Sequence, residues 1–355
     1  MTVYWLMLVY FVAGALLIPA NWQRTSNTSP FFWFGAITVV ILIGFRYWIG
    51  GDWPQYERLF SFAGYASLSQ IIFMGDPGYQ ILNWVVRHLG LEIWVVNLGC
   101  GAVYGIGLFK LARLQPNPWL AIAVAIPYLI IVVGMGYTRQ SVALGFVMIG
   151  LAALMRGSTV VRYAAYIIVA TLFHRSAIVM TVVLAAGHRS RFTNLLIGAS
   201  VAYVLYDLIV SSAFPALSRN YLETGYEAQG AMVRVFMNFL PAAIFLLAPT
   251  RFGFDERELG IVRILAIAGL LFPILLFTVP SSAAVDRLAL YISPLQMIIL
   301  SRVPGSLIKE GFGKVIICAY AAAVQFVWLN FAQHARDWVP FRFWFLDTYG
   351  RGWFN

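Results

Sequence analysis

Ten apolar runs, each long enough or nearly long enough to cross a bilayer, constrain this chain more than any other feature. They cover residues 3–20, 31–45, 91–109, 119–135, 140–155, 194–211, 231–249, 259–279, 287–301 and 315–333. A helix rises about 1.5 Å per residue, so about 20 apolar residues cross a hydrocarbon core about 30 Å thick. No water is available there to satisfy backbone N–H and C=O groups, and helices of this kind pair them internally. An eleventh apolar stretch, 163–187, is interrupted by Phe173-His174-Arg175-Ser176.

The chain is 61% hydrophobic and 11% charged, against about 25% charged residues in soluble domains. A soluble core of 355 residues could not hide that much apolar surface. The expectation is an all-α polytopic membrane protein with about 10–12 transmembrane or re-entrant helices, forming a single domain over 1–355. External loops are expected at 46–90 and 212–230, with an aromatic tail at 334–355. Residues 78–89 read as a helix lying along the interface. Residues 212–230, with Arg219, Tyr221, Glu223 and Tyr226, read as a lid. The tail reads as an interfacial anchor, with sugar stacking on Trp338 or Trp344 as its alternative. Met1 to Ala20 lacks a charged leading segment and is read as an uncleaved first helix.

Basic residues outnumber acidic ones, 24 to 14, and only Lys110, Lys309 and Lys314 are lysines, leaving 21 arginines. Arginine's planar fork binds phosphate and carboxylate bidentately. No basic stripe lies on a soluble face, so nucleic acid is not an expected partner. Cys100 and Cys318 stand alone in apolar runs without metal-ligand spacing. By the positive-inside rule, Arg24, Lys110/Arg113, Arg156/Arg162, Arg189/Arg191, Arg251/Arg257/Arg263 and Arg302/Lys309/Lys314 group on the cytoplasmic side. That assignment requires 163–187 to enter and leave on one side, as two half-helices meeting at His174. It puts Asp52, Asp76, His174 and Asp286 outside with both termini.

Ionisable groups at membrane depth are costly and need a reason. Arg46 leaves the second run, and Gly50-Gly51 turns the chain so that Asp52 can face back; otherwise Arg46 snorkels and Asp52 caps the helix near Pro54. Arg139, in Gly136-Tyr137-Thr138-Arg139-Gln140, opens an apolar helix after a turn too short to reach far into water. His174 and Arg175 lie at the interruption, where an imidazole could relay a proton or donate to a phosphate oxygen. Arg287 opens the run at 287–301, with Tyr291 one turn further on the same face and Asp286 either functional or pairing with Arg287. Asp207, deep in 194–211, needs a partner that cannot be named. There is no GxGxxG fingerprint, P-loop, HExxH or GxSxG pattern, so no soluble nucleotide cofactor and no HExxH-type metal site is expected.

Taken in order, Arg46…Gly51-Asp52…Tyr56, Asp76-Pro77-Gly78-Tyr79, Thr138-Arg139-Gln140-Ser141-Val142-Ala143, Phe173-His174-Arg175-Ser176-Ala177 and Asp286-Arg287…Tyr291 resemble the EpsG family of bacterial exopolysaccharide proteins, related in role to the Wzy polymerases. The resemblance implies a GT-C-like fold in the bacterial inner membrane. It implies a polymerase joining oligosaccharide units carried on undecaprenyl diphosphate at the outer face, with no further cofactor. Membrane lipids, and a chain-length regulator or export proteins, are the other implied partners. Arg139 and Arg287, with Arg46 as a third donor, would bind the diphosphate. His174 or Asp52 would be the base. Tyr56, Asp76, Tyr79, Gln140, Arg175, Asp286 and Tyr291 would bind substrate or support the arginines. A transporter or flippase of the same lipid-linked sugar, and a membrane acyltransferase modifying polysaccharide, are the rival readings; broken helices with buried charge are also a transporter feature.

Overall fold

The structure, a computed structural model, describes residues 1–18, 29–186, 195, 197–200, 202–203, 230–278 and 282–348. Helices α1 (Thr2–Leu17) and α2 (Pro30–Gly44) are followed by three short amphipathic helices, α3 (Trp53–Phe62), α4 (Leu68–Phe73) and α5 (Pro77–His88). Then come α6 (Ile93–Ala112), α7 (Pro118–Ala125) continuing as a π-helix over Ile126–Gly134, α8 (Thr138–Met155) and α9 (Val160–Phe173). Beyond the described break are α10 (Ala231–Leu247), α11 (Glu256–Thr278), α12 (Ser282–Ala289), α13 (Pro294–Leu300), α14 (Glu310–Phe331) and α15 (Trp344–Thr348). Among the described residues no strand forms.

Among the described residues four helices, α6, α8, α11 and α14, are long and apolar enough to cross a membrane, and α12 with α13 makes a fifth as one span bent by 43°. The chain is therefore a multi-pass membrane protein. The other apolar runs among the described residues form shorter helices of 12 to 17 residues, so the expected ten to twelve transmembrane or re-entrant helices appear there as four or five of full length plus these shorter pieces. Most of the run at 194–211, including Asp207, lies outside the described residues, as do His188, Arg189, Arg191, Arg24, the loop from 212 to 229 and Arg351.

Helix propensity and apolar content fix where these helices form; packing fixes which of them meet lipid. Every residue from Pro118 to Gly134 is buried, so this apolar segment is the centre of the bundle rather than a lipid-facing span. Leu17, Phe31, Leu247, Phe277 and Phe331 instead expose their side chains on the outside. Between helices in lipid there is little hydrophobic gain, and close backbone approach contributes instead. Gly107 of α6 meets Gly145 of α8, where a Cβ would lie 2.2 Å from the Gly145 carbonyl oxygen. That contact fixes how the Arg139 end of α8 is presented.

The chain breaks at His174, where the sequence placed the interruption. The following segment, Arg175–Ala186, is a 3-10 helix that folds back on α9, and the Tyr163 hydroxyl donates to the Met180 carbonyl at 2.8 Å. Pro77–His88 forms a helix where 78–89 was expected to lie along the interface. The tail, in contrast, is not a free interfacial anchor. Tyr47 N donates to the Arg342 carbonyl and Gly50 N to the Asp337 carbonyl, both at 3.0 Å, strapping 337–344 onto 45–50. Trp338 and Trp344 are buried, their indole N–H groups donating to the Ile131 carbonyl and to Glu92. Both rings are spent on packing, which removes them as sugar-stacking platforms.

Candidate active site

Five elements contribute to one charged cluster. Asp52 sits at the N-terminus of α3 but makes no capping hydrogen bond. Its carboxylate instead faces Tyr56, one turn along, and feels the charges of Arg287 and Arg139. Burial nonetheless raises the Asp52 carboxyl above the usual range, with Arg287, Arg139 and Tyr56 opposing the shift. Asp76 repeats the device. It holds a left-handed backbone (φ 48°, ψ 57°) ahead of Pro77, caps nothing, and aims its carboxylate at Arg139. A non-glycine residue in that region costs about 1–2 kcal/mol, and such strain concentrates at functional sites.

Arg139, in the first turn of α8, pairs with Asp76 through Nη1 at 3.0 Å, and its guanidinium carbon lies 5.8 Å from the Tyr56 ring centroid. The other Asp76 oxygen accepts the Arg175 backbone N–H at 3.3 Å, which ties the 174 break to α5. Burial pushes the Asp76 carboxyl up, while Arg139 pulls it down. His174 Nδ1 lies 2.6 Å from Ser176 Oγ and 3.4 Å from the Tyr291 hydroxyl; the charges acting on the ring are those of Arg139, Arg287 and Arg175. Gln140 donates to the Arg287 carbonyl at 2.7 Å, which fixes the last turn of α12 against α8. The Arg287 side chain is exposed.

Thus Asp52, Tyr56, Asp76, Arg139, His174, Arg175, Arg287 and Tyr291 come together, joined by Ser176. Three other expected residues stand apart from direct contact. Arg46 is only 1% exposed, and its Nη atoms donate to the Ile43 carbonyl (2.5 Å), Thr138 Oγ1 (2.5 Å) and Asn97 Oδ1 (3.3 Å). It does not serve as a third surface donor; it braces the residue that precedes Arg139. Tyr79 is fully buried behind Tyr56, their ring centroids 5.8 Å apart. Asp286 does not neutralise Arg287. It takes Arg234 of α10 in a bidentate pair, Nε to Oδ1 at 2.8 Å and Nη2 to Oδ2 at 2.9 Å, beside Tyr128 and Tyr137. Two consecutive residues on a helix point about 100° apart, and Arg234 occupies the face that Asp286 presents.

Arg234 is the residue that sequence reasoning missed. The signal was present, an arginine within the first turn of an apolar run, as at Arg139 and Arg287.

The family model of the EpsG family matches residues 29–343, nearly the whole chain. The chain belongs to the EpsG family. No curated protein and no solved structure matches. Family membership makes this an exopolysaccharide-associated membrane protein. The charged cluster draws on every part of the matched region that the sequence motifs singled out, from Asp52 to Tyr291.

Proposed function

We propose that this EpsG-family protein is a polysaccharide polymerase, joining oligosaccharide units carried on undecaprenyl diphosphate at the outer face of the bacterial inner membrane. The observation that carries the reading is the meeting of Arg139, in the first turn of α8, and Arg287, in the last turn of α12, with His174 and the carboxylates of Asp52 and Asp76 at one end of the bundle.

The reaction matches that inventory. A hydroxyl at the non-reducing end of one lipid-linked unit attacks the anomeric carbon of another. The new C–O bond forms as the bond to the diphosphate oxygen breaks, and undecaprenyl diphosphate leaves with the electron pair. Arg287 and Arg139 stabilise the negative charge that develops there. Two groups suit the hydroxyl proton, His174 and Asp52. A carboxylate whose affinity for protons is raised by burial is the stronger base. Tyr291 and Ser176 orient the imidazole through Nδ1. Asp76 holds Arg139, and Gln140 holds the Arg287 backbone.

Purified protein reconstituted with lipid-linked repeat units tests the reading. Wild type forms ladders of growing chains, and folded Arg139→Ala forms none. Absence of ladders from folded wild type on authentic substrate overturns the polymerase. Movement of intact lipid-linked units between leaflets under the same conditions establishes the transporter instead.

A further inference from the structure

A second recess lies beside the charged cluster, on the Gly50-Gly51 turn that delivers Asp52. It is a cleft of about 290 Å³ between that turn and the tail strap. Trp48, Pro54 and Pro340 supply apolar surface, and Arg336, Arg342 and Asp337 supply polar groups. Backbone hydrogen bonds hold both sides of Trp48, from Tyr47 N to Arg342 O and from Gly50 N to Asp337 O. Gly50 itself needs its φ of 95°, and a Cβ there would come within 2.8 Å of Gly136 Cα.

Trp48 is the unusual member. Its φ is 50°, a left-handed conformation in which a bulky aromatic residue is an outlier. The strained backbone nevertheless leaves the residue 43% exposed. An indole that only anchored the protein at the interface would do so from an ordinary helix end. Here two backbone ties and a glycine turn hold it at the mouth of a cleft carrying both donors and an acceptor.

We propose that this cleft is a glycan subsite, in which a sugar ring stacks on Trp48 and its hydroxyls meet Arg336, Arg342 and Asp337. Sugar hydroxyls both donate and accept, so they use the guanidinium groups and the carboxylate together. A lipid phosphate would use the two guanidinium groups and leave the Asp337 carboxylate, 3.7 Å from His334, facing a like charge, and an acyl chain would offer no hydrogen bond to any of the three charged groups. A rigid aromatic face offers contact area at low conformational cost. This inference rests on the polymerase reading in one respect: the sugars held are those of the oligosaccharide that reacts near Asp52, two residues beyond Gly50. Holding them beside the reacting end keeps a growing chain bound between additions.

The probe is the oligosaccharide repeat unit released from its lipid by mild acid, titrated onto full-length protein in nanodiscs and followed by saturation-transfer NMR. Wild type binds it, and Trp48→Ala and Arg342→Gln each weaken binding roughly tenfold, the equivalent of one lost aromatic or charge-assisted contact. Trp48→Phe retains binding and shows that the position tolerates change. In the ladder assay Trp48→Ala makes the first addition at the wild-type rate but yields shorter products. Equal binding by Trp48→Ala and wild type overturns the subsite, as does no binding by wild type at millimolar probe. Trp48-dependent binding by a protein that builds no ladder leaves the subsite standing and removes the polymerase.

Discussion

Arg287 and Arg302 flank the bend of one broken span, Arg287 in the last turn of α12 and Arg302 just beyond α13, and they do opposite things. Arg302 is buried. Its Nε donates to Gln115, Nη1 to the Phe252 carbonyl and Nη2 to the Leu114 carbonyl, and its guanidinium lies 4.0 Å from the Phe254 ring centroid. One side chain thus ties three loops together through neutral oxygens. Arg287 has its backbone held by Gln140 and its guanidinium left exposed, in the field of Asp52 and beside an already paired Arg139. Charge alone does not separate a structural arginine from a ligand-binding one. What separates them is whether the donors are saturated inside the protein.

The largest effects should come from removing each arginine in turn. Arg287→Ala should lower chain extension by at least about 100-fold, the scale of losing a stabiliser of developing negative charge, with membrane abundance unchanged. Arg302→Ala should do the reverse, costing about 2–4 kcal/mol because buried carbonyls lose their donor, seen as earlier loss of the monodisperse peak after heating. An Arg287→Ala protein that fails to accumulate would erase the distinction.

Asp52 sharpens the contrast through pH. Its carboxyl is raised in the folded state, so the ionised form is disfavoured there and its presence lowers stability as pH rises through the ordinary carboxylate range into the raised value. Asp52→Asn should therefore melt no lower than wild type at neutral pH while losing ladders. If Asp52 is the base, wild-type activity should fall on the acid side at a higher pH than an ordinary carboxylate would give. A His174→Gln variant would then keep that limb. An unchanged acid limb in a still active Asp52→Asn protein would assign the proton to His174.

The Arg234–Asp286 pair sits between the extremes, saturated like Arg302 but adjacent to Arg287 in sequence. A double-mutant cycle with Arg234→Gln and Asp286→Asn should return a coupling of about 1–3 kcal/mol in thermal stability. Additive effects would show that the pair does not hold α10 to α12. Gln140→Ala should give the smallest change, a few-fold loss of activity worth on the order of 1 kcal/mol, since Gln140 hydrogen-bonds the Arg287 backbone rather than its guanidinium.

Much of the cluster was legible in the sequence because each member breaks an apolar pattern. Arg139, His174 and Arg287 stand where a membrane helix begins or breaks, and a charge there needs a reason. Arg46 shows the same signal and belongs to a different class, since only its partners Asn97 and Thr138, 51 and 92 residues away, reveal that its Nη atoms are engaged inside the protein. Asp286 was open between a functional role and a partnership with its neighbour Arg287. The true partner, Arg234, is 52 residues distant, and no local spacing encodes it. The tail misled for a related reason: aromatic residues beside arginines suit an interface and a buried strap equally well, and backbone hydrogen bonds to 45–50 decide between them.

The sequence by itself determined the solvent of this protein, its helices, the break at His174 and the arginines worth testing, because those follow from local hydropathy and the cost of charge in lipid. Tertiary structure alone decided which spans lie at the centre, which arginines are saturated, and which carboxylate faces which cation. Those outcomes depend on approach distances between helices far apart in the chain, set by contacts such as Gly107 on Gly145.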